Sequence, residues 1–198
     1  MKHFQQDLVE VYAYQLAKEG KSYCGDSYYY TATDEYFLCV LADGLGSGQY
    51  AFEASFAVAE AVKNNADKDV DSLMKHCNEV LVQKRGAAVA VLKVNLKEKE
   101  FAYSCVGNIR FYLYTPSGKL TYPIPVTGYL SGRPQTFRTQ CFPYEPGSKF
   151  LLHSDGLRTS NSKALLRSCC SIEMIANELK NEEYLNADDS TFIIGSLH

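Results

Sequence analysis

Four aspartates have the residue type and sequence context expected of ligands for a hard cation. Each follows a strand-like run and is followed by a small or polar residue; they are Asp26, Asp43, Asp155 and Asp188. An isolated Asp-Gly pair is most often a turn, but four such positions in 198 residues favour a shared site. Oxygen ligands favour Mg²⁺ or Mn²⁺, and the four histidines have no spacing that indicates zinc or copper.

The elements that must position these aspartates are short strands and three longer helices. Segments rich in aromatic and β-branched residues predict strands at about 9–16, 27–32, 36–42, 87–95, 100–106, 109–115, 135–142, 148–153 and 190–196. Helical periodicity is found at about 49–64, 70–81 and 172–179. Short turns join several strands, which predicts antiparallel neighbours. We therefore expect an α+β fold, a four-layer α/β/β/α sandwich in which helices cover two mainly antiparallel sheets.

Two segments have a more specific interpretation. In the helix at about 49–64, Phe52 and Phe56 lie on the predicted apolar side, together with Ala59. The segment 115–147 contains all six prolines, which predicts surface loops around an edge strand. That segment is either a simple connector or a flap that docks substrate, and the sequence favours neither.

Composition limits the domain organisation and the classes of partner. The chain is 46% hydrophobic, which is ordinary for one globular domain, and we expect a single domain over residues 1–198. A net charge of −3 argues against nucleic acid as a partner. The N-terminus lacks the apolar run of a signal peptide, and no later stretch is long enough to span a membrane. These features predict a cytoplasmic protein without a membrane partner.

Five motifs along the chain resemble those of the metal-dependent type 2C (PPM) protein serine/threonine phosphatases. They are Asp43-Gly44-Leu45-Gly46-Ser47-Gly48, Arg85-Gly86-Ala87-Ala88, Val106-Gly107-Asn108-Ile109-Arg110, Ser154-Asp155-Gly156 and Asp188-Asp189-Ser190-Thr191. Each motif is common on its own, but together they follow the family's order across nearly the whole chain. The short length further resembles the stressosome phosphatases of Gram-positive bacteria within that family.

The resemblance implies roles for particular residues. Asp43 would bridge two divalent cations, Mn²⁺ or Mg²⁺, while Asp155 and Asp188 complete the first and the Gly44 carbonyl binds the second. Asp26 would act through metal-bound water. Two such cations lower the pKa of a shared water and produce a hydroxide that attacks phosphorus. Asp43 and Asp26 are therefore the expected catalytic residues.

The resemblance also implies partners. These would be phosphorylated STAS-domain proteins of the stressosome, bound by a monomeric enzyme. Their dephosphorylation would act as negative feedback on general stress signalling through a sigma factor.

The chain departs from the family pattern at three positions. Lys21 stands where many members have a phosphate-binding arginine, and it is the expected phosphate-binding residue here, although it lacks the bidentate fork. Leu45 replaces a histidine that is a proposed proton donor. Cys24-Gly25-Asp26 replaces Asn-Glu-Asp, which predicts looser binding of the second cation.

Several alternatives remain open from the sequence. Asp189 could replace Asp188 as ligand, because neighbouring strand residues face opposite sides. His153 is interpreted mainly as a packing residue, and Asn108 and Arg110 as a structural hairpin in which the arginine is buried or paired. The alternative function is a catalytically weak or inactive binding module of the same fold that recognises STAS-type partners. Against it, four unneutralised carboxylates would destabilise a mere adaptor.

Overall fold

A computed structural model of the protein describes residues 1–157, 161–181 and 188–198. Within those ranges the chain forms eleven strands and four helices. The strands are β1 (Lys2–Gln6), β2 (Val9–Leu16), β3 (Asp26–Ala32), β4 (Tyr36–Gly44), β5 (Ala87–Asn95), β6 (Glu100–Val106), β7 (Arg110–Tyr114), β8 (Leu120–Thr121), β9 (Gln140–Pro143), β10 (Ser148–His153) and β11 (Ser190–Leu197). The helices are α1 (Gln49–Lys63), α2 (Val70–Glu79), α3 (Ser162–Arg167) and α4 (Ile172–Lys180).

The strands form two antiparallel sheets that pack face to face. One has six strands in the order β1-β2-β11-β10-β7-β8, and the other has five in the order β3-β4-β5-β6-β9. A central apolar layer fills the space between them, α1 and α2 cover the five-stranded sheet, and α3 and α4 cover the six-stranded sheet. The predicted α/β/β/α sandwich is therefore confirmed. None of the helices in the described ranges is both long and apolar enough to cross a bilayer.

Strand alternation brings acidic residues to the end of the central layer. Along β4, Phe37, Cys39 and Leu41 belong to the central core, and the next position with the same orientation is Asp43. Asp26, at the start of β3, is the direct register partner of Asp43. The apolar layer thus ends in two facing carboxylates.

Most predicted elements are present, with differences where the sequence signal is weak. β1 was not predicted because Lys2–Gln6 is mostly polar, and only Phe4 packs against the core. The short helix α3 was also not predicted. The strand expected at about 135–142 is limited to Gln140–Pro143, and it is the edge strand of its sheet, as predicted.

The apolar side predicted for α1 was wrong in part. The side of α1 that faces the sheet is lined by small and β-branched residues, among them Ala51, Ala54 and Val58, because the helix approaches the backbone of β4 closely. Phe56 is exposed instead, and the Phe52 ring stacks on that of Phe56 and contacts that of Tyr23. Large side chains would not fit at the close approach.

Candidate metal centre between the two sheets

The five-stranded sheet contributes Asp26 and Asp43. The Asp26 side chain is 1% exposed, and its main-chain carbonyl accepts a hydrogen bond of 2.8 Å from Nε2 of Gln15. Asp43 is half-buried. A methyl group added at the next residue, Gly44, would collide with the carbonyl oxygen of Ala51. Glycine after Asp43 is therefore required by the close approach of α1.

The six-stranded sheet is joined to Asp26 by the hydroxyl of Ser154. The Ser154 amide donates to the carbonyl of Thr191 at 3.0 Å, and the Thr191 amide donates to Oγ of Ser154, also at 3.0 Å. The same hydroxyl donates to Oδ2 of Asp26 at 2.7 Å. One serine thus fixes the position of Asp26 relative to β10 and β11.

Asp155 lies shortly after β10 and Asp188 shortly before β11, both strands of the six-stranded sheet. Asp155 is exposed, and its Oδ2 accepts a hydrogen bond of 2.7 Å from Nδ2 of Asn108. Asp188 is also partly exposed, and its Oδ1 lies 3.9 Å from Nζ of Lys18. Sequence reasoning treated Asn108 as a hairpin residue only, whereas its side chain orients one of the predicted ligands.

Burial and mutual repulsion perturb the two inner carboxyl groups. The pKa of Asp43 is raised to about 7, first by burial and then by the negative charges of Asp155, Asp188 and Asp189. The pKa of Asp26 is also raised, first by burial and then by Asp43, while the side chains of Ser154 and Thr191 oppose the shift. Ionised carboxylates at these positions thus require a compensating positive charge.

The donor set fits a divalent cation, although the ligands do not converge on one point. Oδ1 of Asp26 is buried without a hydrogen-bond partner in the described part of the chain. Across residues 1–157, 161–181 and 188–198, no three Asp, Glu, His or Cys side chains form a ready-made ligand cluster. Asp155 is instead held by Asn108, and Asp188 lies near Lys18. The carboxylates share one end of the sandwich, and side-chain movement would bring them to a shared cation.

Asp189 has a structural role that the sequence left open. Its Oδ1 accepts a hydrogen bond from the Lys18 amide and its Oδ2 one from the Gly25 amide, both at 2.9 Å. A Cβ atom at Gly25 would lie 2.8 Å from that second oxygen. Asp189 therefore clamps the segment that leads to Asp26, and a glycine before Asp26 is what allows the carboxylate to approach. With both oxygens occupied, Asp189 is a poor alternative to Asp188 as a cation ligand.

Three further residues considered from the sequence, Lys21, His153 and Arg110, differ in burial and contacts. Lys21 is exposed in the turn between β2 and β3, and its side chain makes no ion pair within the described ranges. His153 is buried in the outer layer, where its ring stacks near Tyr112, as expected of a packing residue. Burial lowers the pKa of His153 to about 4, so the ring is neutral. Arg110 is exposed, so the expectation that it is buried was wrong, and it forms no ion pair within the described residues.

Comparison with known proteins places the chain among phosphatases. The sequence model of the family described as Stage II sporulation protein E (SpoIIE) matches residues 33–194. The phosphoserine phosphatase RsbX of Bacillus subtilis (strain 168) is 45% identical over 193 residues, which cover 98% of this chain and 97% of that protein.

Solved structures agree with the sequence comparison. A crystal structure of RsbX in complex with magnesium has a TM-score of 0.96 and 44% identity, covering 100% of this chain and 99% of that one. A structure from work on the bacterial stressosome, described as a modular system adapted to control secondary messenger signaling, has a TM-score of 0.84 and 26% identity. The match covers 95% of this chain and 98% of that one.

Proposed function

Since this chain belongs to the SpoIIE family and is a phosphatase of the PP2C type, we propose that it hydrolyses phosphoserine or phosphothreonine on STAS-domain proteins of the stressosome. RsbX is named as a phosphoserine phosphatase, and a stressosome structure shares this fold at 26% identity. Removal of these phosphates would act as negative feedback on general stress signalling through a sigma factor. The enzyme would act in the cytoplasm as a monomer formed by one domain over residues 1–198.

Five groups of this chain would hold two divalent cations, Mg²⁺ or Mn²⁺. The proposed ligands are the carboxylates of Asp43, Asp155 and Asp188 and the carbonyl of Gly44, with Asp26 acting through water. When bound, such cations supply a water of lowered pKa and positive charge opposite the phosphoryl oxygens. The magnesium complex of RsbX supports the choice of metal for this chain.

The side chains of the protein have separate tasks in this reaction. The facing carboxylates of Asp43 and Asp26 orient the attacking water, and Ser154 keeps Asp26 in place through the hydrogen bond of 2.7 Å. Asn108 holds Asp155 in a similar way. Leu45, which follows Gly44, has no proton to donate, so the leaving serine oxygen takes its proton from solvent. No side chain forms a covalent bond to phosphorus in this scheme.

The observation that carries the proposal is the buried, unpartnered Oδ1 of Asp26 opposite Asp43. An ionised oxygen without a partner costs stability in the interior. This arrangement is accounted for if the acidic pair serves cation binding and catalysis, because a bound cation would offset the negative charge that burial leaves uncompensated.

Phosphate release from a serine-phosphorylated STAS domain tests the proposal. The protein should be active with Mg²⁺ or Mn²⁺, inactive with excess chelator, and reduced at least about a hundredfold by Asp43→Asn. Asp34→Asn is the matched control, since Asp34 is an exposed aspartate in the turn at the opposite end of the same two strands. Activity that survives the chelator would refute the mechanism. Metal-dependent binding of the phosphorylated domain without phosphate release would instead identify the inactive binding module, which the absence of a proton donor at Leu45 would allow.

A further inference from the structure

A phosphoryl group that enters this site meets a concentration of negative charge. The carboxylates of Asp26, Asp43, Asp155 and Asp188 lie around the end of the central layer, so a substrate dianion requires fixed positive charge from the protein as well as cations. Sequence reasoning offered Lys21 for this task, but that side chain makes no hydrogen bond, ion pair or ring contact within the described part of the chain. Arg85, in contrast, is held beside the loop that follows Asp43.

Arg110 is the first alternative, and the strand geometry argues against it. Along β7, Arg110 has the same orientation as Tyr112, which packs in the outer layer beneath α3 and α4. Its register partner is His153, which packs in the same outer layer. The guanidinium group of Arg110 therefore lies on the α3 and α4 side of the six-stranded sheet, whereas the loop that follows Asp43 leaves the five-stranded sheet.

Arg85 lies at the required end of the other sheet. β5 begins at Ala87, which is the register partner of Gly44, and the Leu45 amide donates to the carbonyl of Gly86 at 3.0 Å. The backbone of Arg85 thus runs beside the loop that immediately follows Asp43. A methyl group added at Gly46 would lie 2.6 Å from Nη1 of Arg85, so the guanidinium group lies against this loop.

A second contact orients the guanidinium group. Cζ of Arg85 lies 5.2 Å from the ring centroid of Tyr50, in the first turn of α1, which is within the range of a cation–π interaction. Arg85 forms no ion pair with a carboxylate in the described ranges, and the residue is exposed. Its N–H donors are consequently oriented by an aromatic ring while remaining open to an anion from solvent.

We infer that Arg85 binds the phosphoryl oxygens of the substrate, in place of Lys21. This inference rests on the proposed function, since it concerns the substrate of the same site. A guanidinium group can donate two parallel hydrogen bonds to a phosphate, which an ammonium group cannot do. Tyr50 would be a positioning residue for Arg85.

Two probes separate phosphate binding from protein docking. The first is steady-state hydrolysis of p-nitrophenyl phosphate with Mg²⁺, with inorganic phosphate as competing product. The second is calorimetric binding of inorganic phosphate, which does not depend on turnover. Arg85→Ala should lower kcat/KM and weaken phosphate binding by about tenfold or more, and Arg85→Lys should recover only part of the loss. Lys84→Ala, which removes an exposed charge one residue away, should change either quantity by less than about twofold.

The outcomes that would refute the role of Arg85 differ from the one that would refute the proposed function. Arg85→Ala that behaves like Lys84→Ala, or that impairs only the phosphorylated protein substrate, would show that Arg85 does not bind the phosphoryl group. Complete recovery by Arg85→Lys would show that a point charge suffices and would refute the bidentate contact. A wild-type protein that releases no phosphate from either substrate would refute the proposed function, while the calorimetric comparison would still decide the role of Arg85. Tyr50→Leu should give a smaller loss than Arg85→Ala, and Tyr50→Phe, which keeps the ring, should give none.

Discussion

Replacement of Asp43 by asparagine should stabilise the protein when cations are absent and remove its stabilisation by magnesium. The pKa of Asp43 is raised from 3.8 to about 7, mainly by burial and then by the neighbouring aspartates. A folded-state pKa above the unfolded value means that the folded chain holds its proton more tightly. The stability that protonated Asp43 contributes is therefore present in full below about pH 4, and it is lost as the pH rises toward 7.

The size of this effect follows from the pKa difference. One pKa unit corresponds to about 1.4 kcal/mol, so a rise from 3.8 to about 7 limits the cost of an ionised Asp43 to about 4 kcal/mol at pH 8. Partial solvent exposure reduces this cost, and we expect Asp43→Asn to gain about 1–3 kcal/mol in chelator. Asparagine has the same shape, and the Asp43 carboxylate accepts no hydrogen bond within the described residues that could be lost.

Urea unfolding followed by circular dichroism measures this prediction, since the chain has no tryptophan for fluorescence. In chelator at pH 8 the variant should be more stable than the wild type, and the difference should shrink at pH 5. Mg²⁺ at a hundred times its dissociation constant should add about 2.7 kcal/mol to the wild type and little to the variant. Asp34→Asn is the control. A variant that is less stable than the wild type in chelator, or equally stabilised by Mg²⁺, would refute the reasoning.

Three further substitutions test the groups that position the carboxylates. Gly25→Ala should weaken magnesium binding about tenfold, because the added Cβ would lie 2.8 Å from the Asp189 carboxylate and displace that side chain from the Gly25 and Lys18 amides. Calorimetry measures this affinity, and an unchanged value would contradict the role of Asp189. Ser154→Ala should lower the free energy of unfolding in urea by about 1–3 kcal/mol, because Asp26 and the Thr191 amide both lose a buried partner. A loss below roughly 0.5 kcal/mol, about the error of such measurements, would argue against this role of Ser154. Asn108→Ala should leave stability within about 0.5 kcal/mol but weaken magnesium binding several-fold, and equal affinities would show that Asp155 does not need the hydrogen bond.

Sequence patterns predicted the sandwich well because most strands alternate cleanly or lie in buried runs. β4 and β5 were found within two residues of their ends, and their register is what brings Asp43 to the mouth of the central layer. β1 was missed because its side chains are mostly exposed and carry no apolar alternation. The buried side of α1 was misjudged because periodicity identifies large apolar residues, whereas the close approach to Gly44 selects small ones.

The candidate site was predictable as a set of residue types but not as a set of contacts. The motif order indicated Asp43, Asp155 and Asp188, and the structure brings all three close enough for the two outer charges to raise the pKa of Asp43. The clamp by Asp189 joins positions 164 residues apart in sequence, and local pattern carries no information about such a contact. The local signal for this contact was Gly25. From the sequence it indicates the loss of a carboxylate, whereas the structure shows that glycine leaves room for the Asp189 side chain.

The hydrogen bonds of Ser154 explain why a hydroxyl residue precedes Asp155. The hydroxyl of Ser154 donates a hydrogen bond to Asp26, in the five-stranded sheet, and accepts one from the Thr191 amide, in the six-stranded sheet. These contacts are independent of Asp155, the proposed cation ligand. Threonine would offer the same donor and acceptor at this position. The hydroxyl therefore couples the position of Asp26 to the packing of β10 against β11. Because the carboxylates come from both sheets, a change in sheet packing alters their separation, and cation affinity should respond to the central layer as well as to the ligands themselves.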